Sequence, residues 1–571
     1  SSSASFHYCK QFPIYSMASF FSIAVLLTYV LSVEAALRGH QVSEKDVENT
    51  LFAELSGSFR GTSAQKHIAD LEAELRPMFA VVPRNADGSL PHTVVRYILH
   101  RFFVHRHGWF IRGLEPNASV NQSAQGLQNL QDWVPAYLQR FIELIQEGHG
   151  INLRELAIIA ATLEDLIHKE AIAHLQQAYD AIDLPTSTQL DEAQAHQVLE
   201  IWMMIYMLGG RFKVRGKRKV LRAHEIFTRK IKDWAGVQDW VHGIQLELFP
   251  RNSTPTLDFN ATVRVVEEVG RRYATYNSKA CGNLKSELIS IESKKAGRVR
   301  LTEFYKKGLS GGFDFTEKLD YLRVLGALDD TDPRQSYVIV PNYVGARPNC
   351  LVTSTFYVIC CRNECEDLLG ALEEKIAGEA ASPDKILKIV SELSTGSVIA
   401  PRSIPANLQQ RLQSVADING GSVPLHGRLF AQWMHHAFPR ECPYPHGSGI
   451  ATTPMTPDEW MEESGQTDSK ASKEEMITHI NNDNCSLDEP IGEDARRFQE
   501  LSENDLPWDN TEELLHVGSD MGEFSQAATS QPRSAGLGGL AAVSSFGSSI
   551  IYMACKYVLA RRRSDKIDVI V

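Results

Sequence analysis

Positive charge is in short supply: 58 lysines and arginines stand against 70 aspartates and glutamates, for a formal net charge of -12. Neutralising phosphates requires a surplus of basic side chains, so a general nucleic-acid binder is excluded. The catalytic signatures that can be read from sequence are missing as well. There is no phosphate-binding Gly-Lys-Ser/Thr loop and no dinucleotide fingerprint, and these absences remove the commonest nucleotide chemistries. His224 opens "HEIFT", but Thr228 stands where a zinc-protease helix carries its second histidine. Cysteine is sparse, nine in 571 residues, and the long uncharged runs sit near the two ends.

Those runs set the expected compartment. From Met17, "MASFFSIAVLLTYVLSVEA" ends in the small-residue pattern of a signal peptide cut after Ala35, which makes residues 17–35 a leader and residues 1–16 upstream sequence without a role in it. Residues 535–557 begin with the uncharged "AGLGGLAAVSSFGSSIIYMAC", about long enough to cross a bilayer, and Arg561, Arg562 and Arg563 follow as a stop-transfer signal. The glycines and serines of that segment would let a second such helix approach closely. Residues 558–571 then form a cytosolic tail. Sequons at Asn117, Asn121, Asn252 and Asn260 lie between leader and span, with Asn484 a weaker acceptor, as expected of a glycosylated lumenal or extracellular face.

The expected fold is mainly α: a helical head over residues 40–446, an acidic disordered stalk over 447–533 where apolar periodicity is lost, and one C-terminal transmembrane helix. Within the head, residues 40–210 form a first helical subdomain, 211–330 a second, and 331–446 a cysteine-rich hairpin with helices. Leu156, Ile159, Leu163, Ile167, Ile172 and Leu175 recur at helical spacing as a core stripe. "AQAHQVLEIWMMIYMLGG" is apolar on most faces yet too short to span a membrane, and reads as a buried helix capped by Gly209 and Gly210. "SYVIVPNY" and "CLVTSTFYVICC" carry β-branched and aromatic residues and are expected to pair as an antiparallel hairpin. The basic run "RFKVRGKRKVLR" reads as a solvated loop, with Arg218 a possible convertase processing point.

Three helix–loop–helix segments resemble degenerate EF-hands. In "PRNADGSLPHTV", Asn85, Asp87, Gly88 and Leu90 hold loop positions 3, 5, 6 and 8, but Pro83 and Val94 replace the first and last carboxylates. Asp183 and Leu190 hold positions 1 and 8 of a second loop that lacks the glycine and the final glutamate. Glu292, Gly297, Val299 and Glu303 hold positions 1, 6, 8 and 12 of a third, with Lys294 and Ala296 in place of two oxygen ligands. The resemblance implies helix–loop–helix units without calcium binding.

The densest set of ligand-type residues is "MHHAFPRECPYPHG", with His435, His436, Glu441, Cys442 and His446 among Pro439, Pro443 and Pro445. Two readings compete. One is a zinc, copper or haem-thiolate centre serving a lumenal metal- or thiol-dependent enzyme. The favoured one is a proline-stiffened corner pinned by a disulfide, since an oxidising lumen competes for the thiol and the spacing matches no known ligand motif. Cys281, Cys350, Cys360, Cys361, Cys365 and Cys442 are the disulfide candidates. Cys360 and Cys361 would face opposite sides of a strand and take different partners, Cys442 being a candidate for one of them. Cys485 is left over, free or bridging two chains.

The words "AATLEDLIH", "VPLHGRLFAQWMHHAFPRECPYPH" and "ICCRNEC" resemble an uncharacterised family of dinoflagellate membrane proteins. That resemblance implies a shared fold over most of the head and carries no activity. The expectation is therefore a non-enzymatic type I membrane glycoprotein of the secretory pathway or plasma membrane, its head an interaction or scaffold module with protein partners, no nucleic acid and no cofactor. A homo-oligomer through the Gly/Ser-rich span or Cys485 is compatible with it, and an EF-hand-like calcium-responsive protein is a third reading.

Overall fold

The computed structural model describes residues 62–112, 114, 150–209, 216–231, 233–250, 256–311, 313–331, 335–354, 357–445, 455–487 and 508–515. The expected upstream sequence, leader, transmembrane span and tail lie outside these residues, as do Asn117, Asn121, Asn252, Gly210 and His446. Among the described residues no helix is long and apolar enough to cross a membrane.

The fold is mainly helical with small antiparallel sheets. A first apolar core gathers α1 (Thr62–Ala80), α2 (His92–His107), α3 (Leu153–Ala181), α4 (Glu192–Leu208), α5 (Lys217–Lys230), α6 (Trp234–Leu248) and the first half of α7 (Phe259–Ser290). Strand β1 (Trp109–Ile111) closes it. The far end of α7 carries Leu288 into another core, built with β2 (Arg298–Arg300), α8 (Leu301–Ser310), α9 (Leu319–Val324), β3 (Leu328–Asp329), β4 (Tyr337–Ile339) and α10 (Val340–Val344). With 32 residues at 1.5 Å rise, α7 is about 48 Å long and ties the two cores together. After β5 (Tyr357–Ile359), the remaining core comprises α11 (Cys365–Ile376), β6 (Ala380–Ala381), α12 (Pro383–Ser391), α13 (Ala406–Ile418), β7 (Val423–Pro424) and α14 (Arg428–Ala437). The apolar clusters thus cut across the boundaries expected at 210 and 330: Val220, Trp234 and Val266 belong to the first core, and Val299 shares a core with Val338.

The core stripe of α3 is buried at Leu156, Ile159, Leu163, Ile167 and Leu175, and the "WMMIY" face of α4 is buried throughout. Gly209 caps α4 at φ 58°, and a Cβ there would lie 2.4 Å from the Val352 carbonyl oxygen, so only glycine fits.

A single local pattern recurs along the chain. Leu90 and Ile151 form an isolated antiparallel bridge, as do Leu190 and Leu257. Val299 pairs with Val338 between β2 and β4, and Ala381 with Val423 between β6 and β7. Except at Val423, the residue after each of these bridging positions is the N-cap of a helix: Pro91, Asn152, Asp191, Asp258, Arg300, Ile339 and Ser382. Two extended residues exchange backbone hydrogen bonds, and each chain then turns into a helix. Asn152 with Glu155 and Asp191 with Gln194 make reciprocal capping boxes that fix this turn.

The expected hairpin does not form. β4 pairs with β2 and β3, whereas β5 pairs with β1 of the first core. High β-propensity marked both runs, but β2 and β1, which they join, are distant in sequence, the nearby β3 is only two residues long, and strands so short carry no register signal of their own. Part of the expected stalk is folded instead. Helices α15 (Pro457–Ser464) and α16 (Lys473–Leu487) bury Trp460 and Met476, and Lys470 bridges Glu317. Residues 508–515 lie on α14, where the Glu512 carboxylate accepts from the Leu429 amide and the Gln432 side chain donates to the Asp509 carbonyl. The acidic charge of this region partly serves as helix capping, which a composition count cannot separate from a solvated tail. Cys485 lies in α16, and its side chain is outside the described residues.

Candidate functional site

The proline-rich corner follows α14 and sits against two cores. Its sulfur is not available: Cys442 is bonded to Cys365 at the start of α11. The other candidates pair as Cys281–Cys361 and Cys350–Cys360. The two adjacent cysteines do take different partners, but Cys442 belongs to neither, because the corner packs on the start of α11 rather than on the strand. A sulfur held in a disulfide offers no thiolate to a metal or a haem iron.

The described histidines of the corner, His435 and His436, are used internally. His435 is fully buried, its Nδ1 donating to the Cys442 carbonyl at 2.7 Å and its Nε2 accepting from the Arg298 guanidinium at 3.2 Å. Burial, with Arg298 adding to it, holds this imidazole well below its ordinary range, so it stays neutral. Both nitrogens are therefore committed. His436 stacks on Trp508 and meets the Tyr444 ring edge-on. Glu441 is buried and accepts from the hydroxyls of Thr395 at 2.9 Å and Ser397 at 2.6 Å. These side chains point to separate partners and do not converge on a common ligand.

The three EF-hand-like loops hold themselves together with protein groups. In the first, the Asn85 side chain accepts from the amides of Asp87 and Ser89, and Val94 is in the core. In the second, Asp191 and Gln194 spend their side chains on the cap of α4. In the third, Glu292 accepts from the Gly297 amide at 2.5 Å and from the Arg440 guanidinium at 2.5 Å. Gly297 has φ +74°, and a Cβ there would lie 2.1 Å from the Pro439 carbonyl oxygen. The loop glycine thus allows the corner's close approach.

Arg218 is exposed in the first turn of α5, so half of the basic run is helix rather than the expected loop. Asn260 is exposed at the start of α7, following its N-cap Asp258.

Convergence of ligand atoms occurs elsewhere. Among the described residues, Glu192, His196 and His242 form the group whose ligand atoms all lie within 4.8 Å of one another. Glu192 and His196 are one turn apart on α4, and His242 comes from α6, with His196 Nε2 and His242 Nδ1 2.6 Å apart. Both histidines line a cavity of about 230 Å³ together with Glu200, Met203, Trp234 and Gln245. Gln245 and Trp234 are 5% and 8% exposed, and the Gln245 Oε1 and Trp234 Nε1 atoms have no hydrogen-bond partner. The Glu200 carboxylate accepts from Gln238 and lies 3.5 Å from His224, whose imidazole is pulled below its ordinary value by burial. Sequence reading missed this cluster. Glu192 and His196 show a legible i, i+4 spacing, but nothing in sequence ties them to His242 on a different helix. In comparisons with known proteins, no family model, no curated protein and no solved structure matches the chain.

Proposed function

We propose that the chain is a non-enzymatic type I membrane glycoprotein whose lumenal or extracellular head is a scaffold of paired, EF-hand-like helix–loop–helix units that works without calcium. The observation that carries this reading is that in each loop protein groups occupy ligand positions: backbone amides at Asn85, the capping box at Asp191 and Gln194, and Arg440 at Glu292. A carboxylate that already holds a guanidinium and a backbone amide, as Glu292 does, is a poor ligand for calcium, which needs six to eight oxygens. Three disulfides support an oxidising compartment for the head. The words shared with the dinoflagellate family fall on α3, on the cysteines around β5 and on α14 with its corner, consistent with kinship in fold. Protein partners, rather than a substrate, are what such a framework would hold.

The alternative of an enzyme centred on residues 435–446 is disfavoured by the Cys365–Cys442 bond. The test is non-reducing peptide mapping of the full-length chain from thiol-blocked cells, with endoglycosidase treatment. The reading expects a Cys365–Cys442 linked peptide and removable sugar at Asn260. Recovery of Cys442 as a free thiol overturns it.

A further inference from the structure

We propose that Glu192, His196 and His242 form a zinc site at the rim of the cavity between α4 and α6, with an open coordination position. This goes beyond the scaffold reading and does not depend on it. Three observations point to it independently.

The first is the donor set. Two imidazole nitrogens and one carboxylate, all within 4.8 Å of one another, match the two-histidine, one-carboxylate set of open zinc sites. Calcium and magnesium prefer oxygen alone, so this set discriminates against them. The second is how the histidines meet. His196 Nε2 faces His242 Nδ1 at 2.6 Å, with ring centroids 4.1 Å apart and planes at 78°. Without an ion, one nitrogen must carry the proton between them. Zinc bonds of about 2.0–2.1 Å in tetrahedral geometry separate two bound nitrogens by roughly 3.3 Å, so a small outward rotation of the rings admits the ion. The ring that donates must then move its proton to its other nitrogen, and no proton need leave the protein.

The third observation is the cavity. Gln245 and Trp234 line it, each more than nine-tenths buried, with the Gln245 Oε1 acceptor and the Trp234 Nε1 donor unpartnered. Leaving such groups unpaired is costly, so their presence beside the histidine pair marks a place for a polar guest. The guest is water or a small neutral polar molecule bound to the zinc's fourth position, offering a donor to Gln245 and an acceptor to Trp234. Glu192 is exposed, which gives the ion a route in from solvent.

The experiment uses the full-length chain without a polyhistidine tag, stripped with chelator and titrated with zinc chloride by calorimetry, and with cobalt(II) by visible absorption. The proposal expects one zinc equivalent and an intense tetrahedral cobalt band. Glu192→Gln, at an exposed position that leaves folding intact, should weaken zinc roughly tenfold or more, and His196→Ala with His242→Ala should abolish the band, on the scale by which ligand-shell changes alter metal affinity. Absence of zinc binding, a weak octahedral cobalt spectrum, or unchanged stoichiometry and affinity in Glu192→Gln overturns it.

Discussion

Arg440 holds both carboxylate oxygens of Glu292, with Nη2 2.5 Å from Oε2 and Nε 3.1 Å from Oε1. The two residues come from the proline corner and from the first position of the third EF-hand-like loop, so the corner sets a guanidinium against that loop position. The contact also lifts the Arg440 guanidinium above its ordinary value. Glu292 is 9% exposed at its side chain, which makes an unpaired carboxylate there expensive.

Arg440→Met is therefore expected to destabilise the chain by about 1.5–3 kcal/mol, the cost of losing a charge-assisted hydrogen bond to a largely buried acceptor. Urea denaturation checks it. Arg440→Lys should recover only part of the loss, since a lysine cannot reproduce the two-pronged contact. A midpoint unchanged in Arg440→Met contradicts the role given to this pair.

How much of this was legible in sequence depends on distance along the chain. The α3 stripe and the buried α4 were readable, because helical periodicity is local and Leu156, Ile159 and Leu163 announce it. Three loops were readable from Asn85, Asp183 and Glu292, but their partners at Ile151, Leu257 and Val338 were not. Those partner loops lack the central glycine and, Glu155 excepted, the first and last acidic positions, and a bridge of one to three residues leaves no alternation to detect. At the corner the cysteine could be read as a disulfide partner, but not that it joins Cys365 on α11 instead of one of the adjacent cysteines. Trp460 and Met476 were lost in a composition that reads as disordered, since a few apolar anchors are diluted by the surrounding charge.

A second buried ion network joins the first core to the α11–α14 core. Arg101 on α2 is 3% exposed and donates to Glu373 at 2.6 and 3.2 Å and to Glu366 at 2.7 Å, both on α11. Arg101→Met strands two carboxylates and is expected to cost about 3–5 kcal/mol. Replacing Glu366 and Glu373 with leucine in the same chain should restore most of it. Chemical denaturation of the single and triple variants distinguishes this from simple loss of packing against Tyr97, whose ring lies 5.4 Å from the guanidinium carbon.

Acid should weaken the head through its buried histidines. Burial lowers His100 and His426 to about 3 from an ordinary 6.5. The folded state therefore favours their neutral forms, and the stability they contribute is fully present above 6.5 and is lost as pH falls from there toward about 3. Glu170 opposes them, because burial raises it to about 7 and its contribution is lost as pH rises from 4.5 toward that value. His426→Gln should flatten the decline by up to about 1.4 kcal/mol per pH unit within the histidine window. Denaturation midpoints taken from pH 7 downward measure it, and an unaltered slope contradicts the assignment.

The central claim is that the paired loops stand without calcium. Its most direct test is the melting temperature of the full-length, chelator-stripped chain with millimolar calcium, set against an equal concentration of magnesium. A ligand that binds only the folded state must raise the melting temperature. The loops as built predict the same temperature in both salts; a calcium-specific rise that persists in Glu192→Gln, and so does not arise at the histidine cluster, would contradict the account.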